Sequence, residues 1–239
     1  MRAMYLTAPG SIGNLQIGEL SQPVPGPGEV RIRVEAAGLN PVDVAFIESP
    51  GHPNWTWPHV VVQDSAGIVD AVGPGVEGFI VGERVANHGA IGAEGSLAEY
   101  RIVTAETLAH VPDGVSAISA AALPCAGLTA YQAIVRRLHV SAGQTVLVTA
   151  AAGGVGGFAV QLSRLAGARV IGTASSVNHE FVRSLGADDV ISYRSENVTE
   201  RVREMTNGRG VDAVLDTVSS ESATENLKLL VHNGGLAFA

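Results

Sequence analysis

TVLVTAAAGGVGGFAVQLSRLAGARVIGTASS, from Thr145 to Ser176, is the stretch whose reading decides the fold. Thr145–Thr149 is a short apolar, β-branched run, the composition of a strand buried on both faces. Ala150–Gly157 holds only small residues apart from Val155. Phe158–Leu165 then carries apolar residues at helical spacing, and Arg169–Thr173 reads as a second strand. Strand, glycine-rich turn, helix and parallel strand make a βαβ unit of about 30 residues, the size of a dinucleotide-binding module. Within it, Ala151-x-Gly153-x-x-Gly156 occupies the G-x-G-x-x-G frame, with alanine at the first position. Gly153 lets the backbone approach a pyrophosphate and Gly156 lets helix and strand pack closely. The N–H groups of this turn, Gly154 and Val155 included, and the positive end of the helix then hold phosphates. The same residues also read as a tight turn between packed elements.

Composition bounds the rest. A chain of 239 residues holds one large or two small domains, and 46% hydrophobic residues are ample for a core. The 29 glycines suit a turn-rich α/β protein. The net charge of −8, with no basic block, excludes the electrostatic footprint of a nucleic-acid binder. No apolar run reaches the ~18 residues of a membrane span, and Met1–Met4 leads into a strand, so the expected location is cytoplasmic. Cys125 is the only cysteine, which rules out internal disulfides and a cysteine cluster for structural zinc.

Residues 1–120 have the texture of a β-rich domain. Glu29–Ala36 alternates apolar and polar residues after the turn signal Pro23–Gly28. Ala66–Val72, Arg84–Ala86 and Ala98–Val103 are further strands separated by glycine turns. Ser116–Ala122 starts a helical stretch broken by Pro124, and Leu128–Leu138 is an amphipathic helix leading into the second domain, 121–239. After Ser176 the alternation continues: helix His179–Leu185, strand Asp189–Ser192, helix Val198–Met205, strand Val211–Asp216, helix Ser222–Val231 and a fifth strand from Gly235. The expected fold is α/β, a doubly wound parallel sheet behind a β-rich domain, with the sixth strand of the full dinucleotide fold lacking. The expectation is a C-terminally shortened chain.

These pieces, in this order, resemble the medium-chain dehydrogenase/reductase superfamily, in its zinc-free quinone oxidoreductase branch. The resemblance rests on Pro25–Val30, Ala37–Asp43, Asp64–Gly67, Val81–Val85, Leu97–Tyr100, Ala121–Tyr131, the glycine loop, Leu185–Asp188 and Val211–Asp216. It implies a GroES-like N-terminal domain, a Rossmann-like C-terminal domain, and a homodimer in full-length relatives. Gly51–His59 is similar to a subgroup often described as zinc-binding alcohol dehydrogenase-like. Catalytic zinc takes cysteine, histidine or carboxylate ligands. Where zinc-dependent relatives carry the first cysteine this chain has Asn40, and where they carry histidine and glutamate it has Gln63 and Asp64. No zinc is therefore expected. His52, His59 and Asp64 form an alternative, non-family metal set, or the two histidines are packing residues.

Without a Lewis acid, the remaining chemistry is hydride transfer to a quinone or an α,β-unsaturated carbonyl. The resemblance implies that Asn40 and Asp43 lie on the nicotinamide side; both also read as caps of a turn or helix. Val44–Glu48 replaces the tyrosine and arginine that relatives often carry there, so no proton donor is assigned. Thr129 is a further nicotinamide-side candidate by resemblance, or simply packs its helix, and Asp216, at the end of the fourth strand, is a cofactor-binding candidate. An NAD site wants an acid ~20 residues past the glycines, and none occurs before Glu180. This favours NADPH over NADH, with Ser175, Ser176, His179, Tyr193 and Arg194 as candidates for the 2′-phosphate. Each has a structural alternative as cap, core-edge aromatic or solvated charge. A catalytically silent dinucleotide-binding relative and a zinc alcohol dehydrogenase are the competing functions. Trp55, Trp57 and Phe46 are expected to form an apolar wall near the cleft, or to pack.

Overall fold

The computed structural model describes every residue from Met1 to Ala239 and divides into two compact units, Met1–Cys125 and Ala126–Ala239. No helix is long and apolar enough to cross a membrane.

The N-terminal unit is built mainly of antiparallel strands. β1 (Arg2–Leu6) pairs with β2 (Gln16–Glu19) and, further on, with the short β4 (His59–Val60). Between β2 and β4 run β3 (Glu29–Gly38) and α1 (Pro41–Glu48). β5 (Asp64–Val72), β6 (Arg84–His88), β7 (Tyr100–Thr104) and β8 (Leu108–His110) complete a five-stranded sheet in the order β7-β3-β5-β6-β8. The alternation of β3 does what its pattern predicts. Val30 and Ile32 are fully buried with Val69, Val85 and Val103, while Arg31 turns outward and pairs with Asp70 at 2.6 Å. α2 (Ala117–Ala121) is capped by the Ser116 hydroxyl and lies on β3 and β5 through Ala120, Ala121 and Ala66. Gly38 permits this approach: a Cβ there would collide with the Ala121 carbonyl and sit 3.0 Å from the Asp64 Cβ.

α3 (Pro124–Tyr131) leads into the C-terminal unit. Pro124 follows the break at the end of α2 and also starts a second helix, since a proline in the first turn gives up an N–H that has no partner there. The single helix expected over Leu128–Leu138 is instead the end of α3 followed by a π-helical turn, Gln132–Arg137. Beyond it come β9 (Thr145–Val148), α4 (Gly154–Leu165), β10 (Arg169–Ala174), α5 (His179–Ser184), β11 (Asp189–Ser192), α6 (Val198–Met205), β12 (Val211–Asp216), α7 (Ser220–Leu227) and β13 (Leu230–Phe238). The five strands are parallel, in the order β11-β10-β9-β12-β13. This is the expected 3-2-1-4-5 winding.

The apolar runs of these strands are continuous because both faces are covered. On β9, Val146 and Val148 enter one core with Val160 and Leu215, and Leu147 enters the other with Ile171, Ile191 and Val214. α6 is capped by the Asn197 side chain and stopped by Asn207 and Gly208, both at positive φ. β13 corrects the sequence reading. It starts at Leu230, not Gly235, and α7 ends at Leu227, because Leu230 and Val231 belong to the sheet rather than to the preceding helix.

Leu147 lies on the central strand with no exposed surface. Leu147→Ala should therefore cost about 2–5 kcal/mol, read as a lowered urea midpoint with an unchanged slope.

Candidate active site

The glycine turn is pinned from below. Ala151 is fully buried and donates its N–H to the Thr173 carbonyl at 2.9 Å, and the Ala150 N–H reaches the Thr173 hydroxyl at 3.2 Å. Ala150 itself sits at φ +44°, a conformation an alanine adopts only when its surroundings enforce it. Gly153 is the N-cap of α4 and Gly157 is the first residue whose N–H returns to it, at 2.8 Å. The N–H groups of Gly154, Val155 and Gly156 are thus left without helical acceptors at the positive end of a twelve-residue helix. The two motif glycines have different physical roles. A Cβ on Gly156 would collide with the Ala150 carbonyl and lie 2.8 Å from the Ala151 Cα, whereas one on Gly153 would meet only the Ala150 oxygen, at 3.2 Å.

Beside this turn, a cavity of about 620 Å³ opens at the carboxyl ends of β9, β10 and β12. Thr149, Thr173, Tyr193, Thr217 and Asn226 line it. Strand order reverses at β9, so the cavity occupies the topological switch point where doubly wound sheets take ligands. Two threonines shape its floor: the Thr217 N–H donates to the Thr149 hydroxyl at 2.9 Å, and the Thr217 hydroxyl to the Thr149 carbonyl at 3.3 Å.

The other residues expected near a cofactor fall into two groups. Ala174 and Ser192 are register partners at the ends of β10 and β11, so Ser175 and Ser176 follow one strand where Tyr193 and Arg194 follow its neighbour. Tyr193 is half exposed, and Arg194 Nε lies 3.3 Å from its hydroxyl. His179 opens α5, and its Nε2 is buried without a partner. Thr129 is half-buried on α3. Asp216 stands apart. It is fully buried, and its carboxylate accepts from the Val218 N–H at 2.9 Å, the Ser222 hydroxyl at 2.7 Å and the Asn226 amide at 2.7 Å. It holds α7 against the end of β12 and has no obvious vacancy for a ligand. Asn226, Thr149 and Thr217 were not anticipated from sequence, because their placement depends on which strand ends meet.

In the N-terminal unit, the candidates converge on Asp64, which is 1% exposed. One carboxylate oxygen lies 2.6 Å from His88 Nδ1, and the other accepts from the Asn40 side-chain amide at 2.9 Å and the Cys125 N–H at 3.0 Å. Asp43 is also buried; it accepts from the Asn40 N–H at 2.7 Å and the Gln63 N–H at 3.2 Å, and burial pushes its carboxyl up. Asp43 therefore clamps the backbone on either side of the cluster. Arg101, 2% exposed, binds the Gln63 carbonyl at 2.6 Å and its side-chain oxygen at 3.3 Å, with burial bringing the guanidinium down to about 10. His88 and Arg101 went unnoticed in the sequence because single charges in alternating strands ordinarily face solvent.

His88, Asp64 and Cys125 place one nitrogen, one oxygen and one sulfur within 4.8 Å of one another. They fit tetrahedral zinc poorly. Ligands at 2.0–2.3 Å around such a zinc lie roughly 3.5 Å apart. The nitrogen and oxygen here stand at 2.6 Å, the separation of a shared proton. Burial, then Asp64 and Asp43, push the Cys125 thiol up, away from the thiolate that a metal needs. Gln63, at the position where zinc-dependent relatives carry histidine, is tied to Arg101. His52 and His59 do not join Asp64: His59 is buried in a stack on Trp55, ring centres 4.3 Å apart, and lies 3.4 Å from Glu94. Phe46 and Trp55 border a void of about 10 Å³, room for no more than a water molecule.

Two family models match the chain: an alcohol dehydrogenase GroES-like domain over residues 26–113 and a zinc-binding dehydrogenase domain over residues 154–239. A crystal structure of an NAD-dependent alcohol dehydrogenase superposes with a TM-score of 0.93 at 36% identity, covering all of this chain and 77% of the other. The chain belongs to the medium-chain dehydrogenase/reductase superfamily, in its quinone oxidoreductase-like branch. A mycobacterial protein complexed with NADPH superposes at 0.89 and 37% identity, covering all of this chain and 73% of that one. Quinone oxidoreductase of Pseudomonas aeruginosa is 38% identical over 211 residues, 88% of this chain. The chain spans 64% of that relative's length and 6–11% of the longer synthases it also matches.

The unequal roles of the two glycines give a paired prediction. Gly156→Ala should lower stability by about 1–3 kcal/mol, measured by thermal unfolding. Gly153→Asp should leave the melting temperature unchanged or raise it, because aspartate is a good N-cap, while weakening nucleotide binding at least about tenfold by placing a carboxylate at the phosphate position.

Proposed function

We propose that the chain is an NADPH-dependent, zinc-independent oxidoreductase that passes hydride to a quinone or an α,β-unsaturated carbonyl. The observation that carries the nucleotide half is the unpaired helix N-terminus at Gly154–Gly156 beside a cavity at the switch point of the sheet. NADPH when bound supplies the hydride; this chain's residues bind and orient it. Ala151, Gly153, Gly154, Val155 and Gly156 form the pyrophosphate turn in this reading, with Thr129 on the nicotinamide side. Preference for NADPH rests on the absence of a carboxylate at the end of β10, where Ser175 and Ser176 stand, and on Tyr193, Arg194 and His179 around the adjoining strand end. A carboxylate there would repel a 2′-phosphate. Asp216 acts in this reading by fixing the Thr217–Val218 turn rather than by touching the cofactor.

Zinc independence is supported by the hydrogen-bonded state of Asp64 and by the thiol of Cys125. A site without a Lewis acid suits acceptors that already delocalise negative charge. Asn40 is the polar group offered to the acceptor, and Asp43 holds it in place.

The test is titration of the full chain with NADPH and NADH, followed by turnover against quinones and enones in the presence of a chelator. Tighter NADPH binding and chelator-insensitive oxidation are expected. Arg194→Ala should reduce the affinity for NADPH by about tenfold, about 1.4 kcal/mol, and leave NADH unchanged. Nucleotide binding without oxidation of any acceptor, or activity lost to the chelator, would overturn the proposal.

A further inference from the structure

The cavity at the carboxyl ends of β9, β10 and β12 lies wholly within the C-terminal unit, and it carries one acceptor whose direction is fixed. Asn226, on α7, is buried and lines the cavity. Its side-chain nitrogen donates to an Asp216 oxygen at 2.7 Å and to the Ser222 hydroxyl at 3.3 Å. The same Asp216 oxygen accepts from the Ser222 hydroxyl at 2.7 Å, and the other accepts from the Val218 N–H at 2.9 Å. A carboxylate only accepts, so the Asn226 amide cannot turn over, and its oxygen is held on the side away from Asp216. That oxygen accepts nothing from the chain and is not sealed off. Its opening is the cavity.

The surroundings describe the ligand. Val198 reaches the cavity from the β11 side and Val218 from the β12 side, which suits a flat ring. Glu225 is the one charged side chain lining it, and both its oxygens are taken by the Lys228 ammonium, at 2.7 and 2.8 Å. Tyr193, a candidate for the 2′-phosphate, lines the same cavity. The nucleoside that carries this phosphate is adenosine. We propose that Asn226 Oδ1 accepts a hydrogen bond from the 6-amino group of adenine and is the specificity-determining residue for the base, with Asp216 the positioning residue that fixes its direction. The inference rests on the nucleotide half of the reading above. An amino group at C6 donates to Oδ1. The 6-oxo group of hypoxanthine would set a second acceptor against it and leave both unpaired.

The experiment titrates the full chain with NADPH and with its hypoxanthine analogue, read by calorimetry. The wild type should bind NADPH at least about tenfold more tightly than the analogue. Asn226→Ala should lose that factor for NADPH and leave the analogue unchanged, so that the two bind alike. Asp216→Asn is a second variant that keeps Asn226 in place. There the Val218 N–H holds the new side-chain oxygen, so the new amide nitrogen faces Asn226. Asn226 must then turn its own oxygen inward and offer its nitrogen to the cavity. The preference should reverse in favour of the analogue, a change that loss of structure does not produce. Equal binding of the two nucleotides by the wild type, equal weakening of both in Asn226→Ala, or an unaltered preference in Asp216→Asn would overturn the inference and leave the nucleotide site standing. Failure of the wild type to bind either nucleotide would overturn the reading on which it rests.

Discussion

No side chain fits at position 156. The Ala150 carbonyl and the Ala151 Cα already occupy the space a Cβ would need, so the first turn of α4 lies directly on the strand end that precedes it. The same closeness recurs one layer down. A Cβ on Gly172 would sit 2.9 Å from the Ala151 Cβ and 3.0 Å from Val182, so β10 must also be bare where the turn rests on it. These two bare positions let the loop sink until Ala151 is fully buried and bonded to Thr173. Only then do the free N–H groups of α4 face outward beside the cavity. Close packing and phosphate chemistry are therefore one constraint seen from two sides.

The N-terminal unit is organised around a charge rather than a void. Asp64 has no arginine or lysine at ion-pair distance, yet it is buried, and four donors converge on it and on Asp43: Asn40 twice, Gln63 and Cys125. Burying a carboxylate is costly unless its oxygens are satisfied. Here backbone N–H groups do most of that work, which ties the start of α1, the Gln63 backbone and the start of α3 to two acidic side chains. His88 is the one side chain on the free oxygen of Asp64, at 2.6 Å, and its ring is one-third exposed.

Much of this was legible in sequence, for identifiable reasons. β11, β12 and α6 begin and end where apolar pattern and caps place them, and the glycine turn falls between a strand and a helix as its mechanism requires. Misreadings occur where a local rule has two outcomes. Proline breaks a helix interior but suits its first turn, and at Pro124 both hold, one helix ending before it and another starting on it. Leu230–Val231 fits either the end of a helix or the start of a strand, and pairing with β12 decided it. Within the site, sequence found the groups whose role is local. It overlooked His88, Arg101, Asn226 and Thr217, whose partners lie 24, 38, 10 and 68 residues away.

Arg101 shows how such a distant partner shapes chemistry without touching a reactant. Its guanidinium takes both the main-chain and side-chain oxygens of Gln63, and Gly89 leaves room for it, since a Cβ there would collide with both groups. Gln63 precedes Asp64 but cannot turn its amide toward it while Arg101 holds that oxygen. Asp64 is thereby left to Asn40, Cys125 and His88 alone. A buried cation with no carboxylate at ion-pair distance, drawn down to about 10 by burial and raised in part by Asp64, Asp43 and Glu94, balances the acidic pair through space. Arg101 thus acts on Asp64 through space without contacting it, and the second Asp64 oxygen is left to the imidazole.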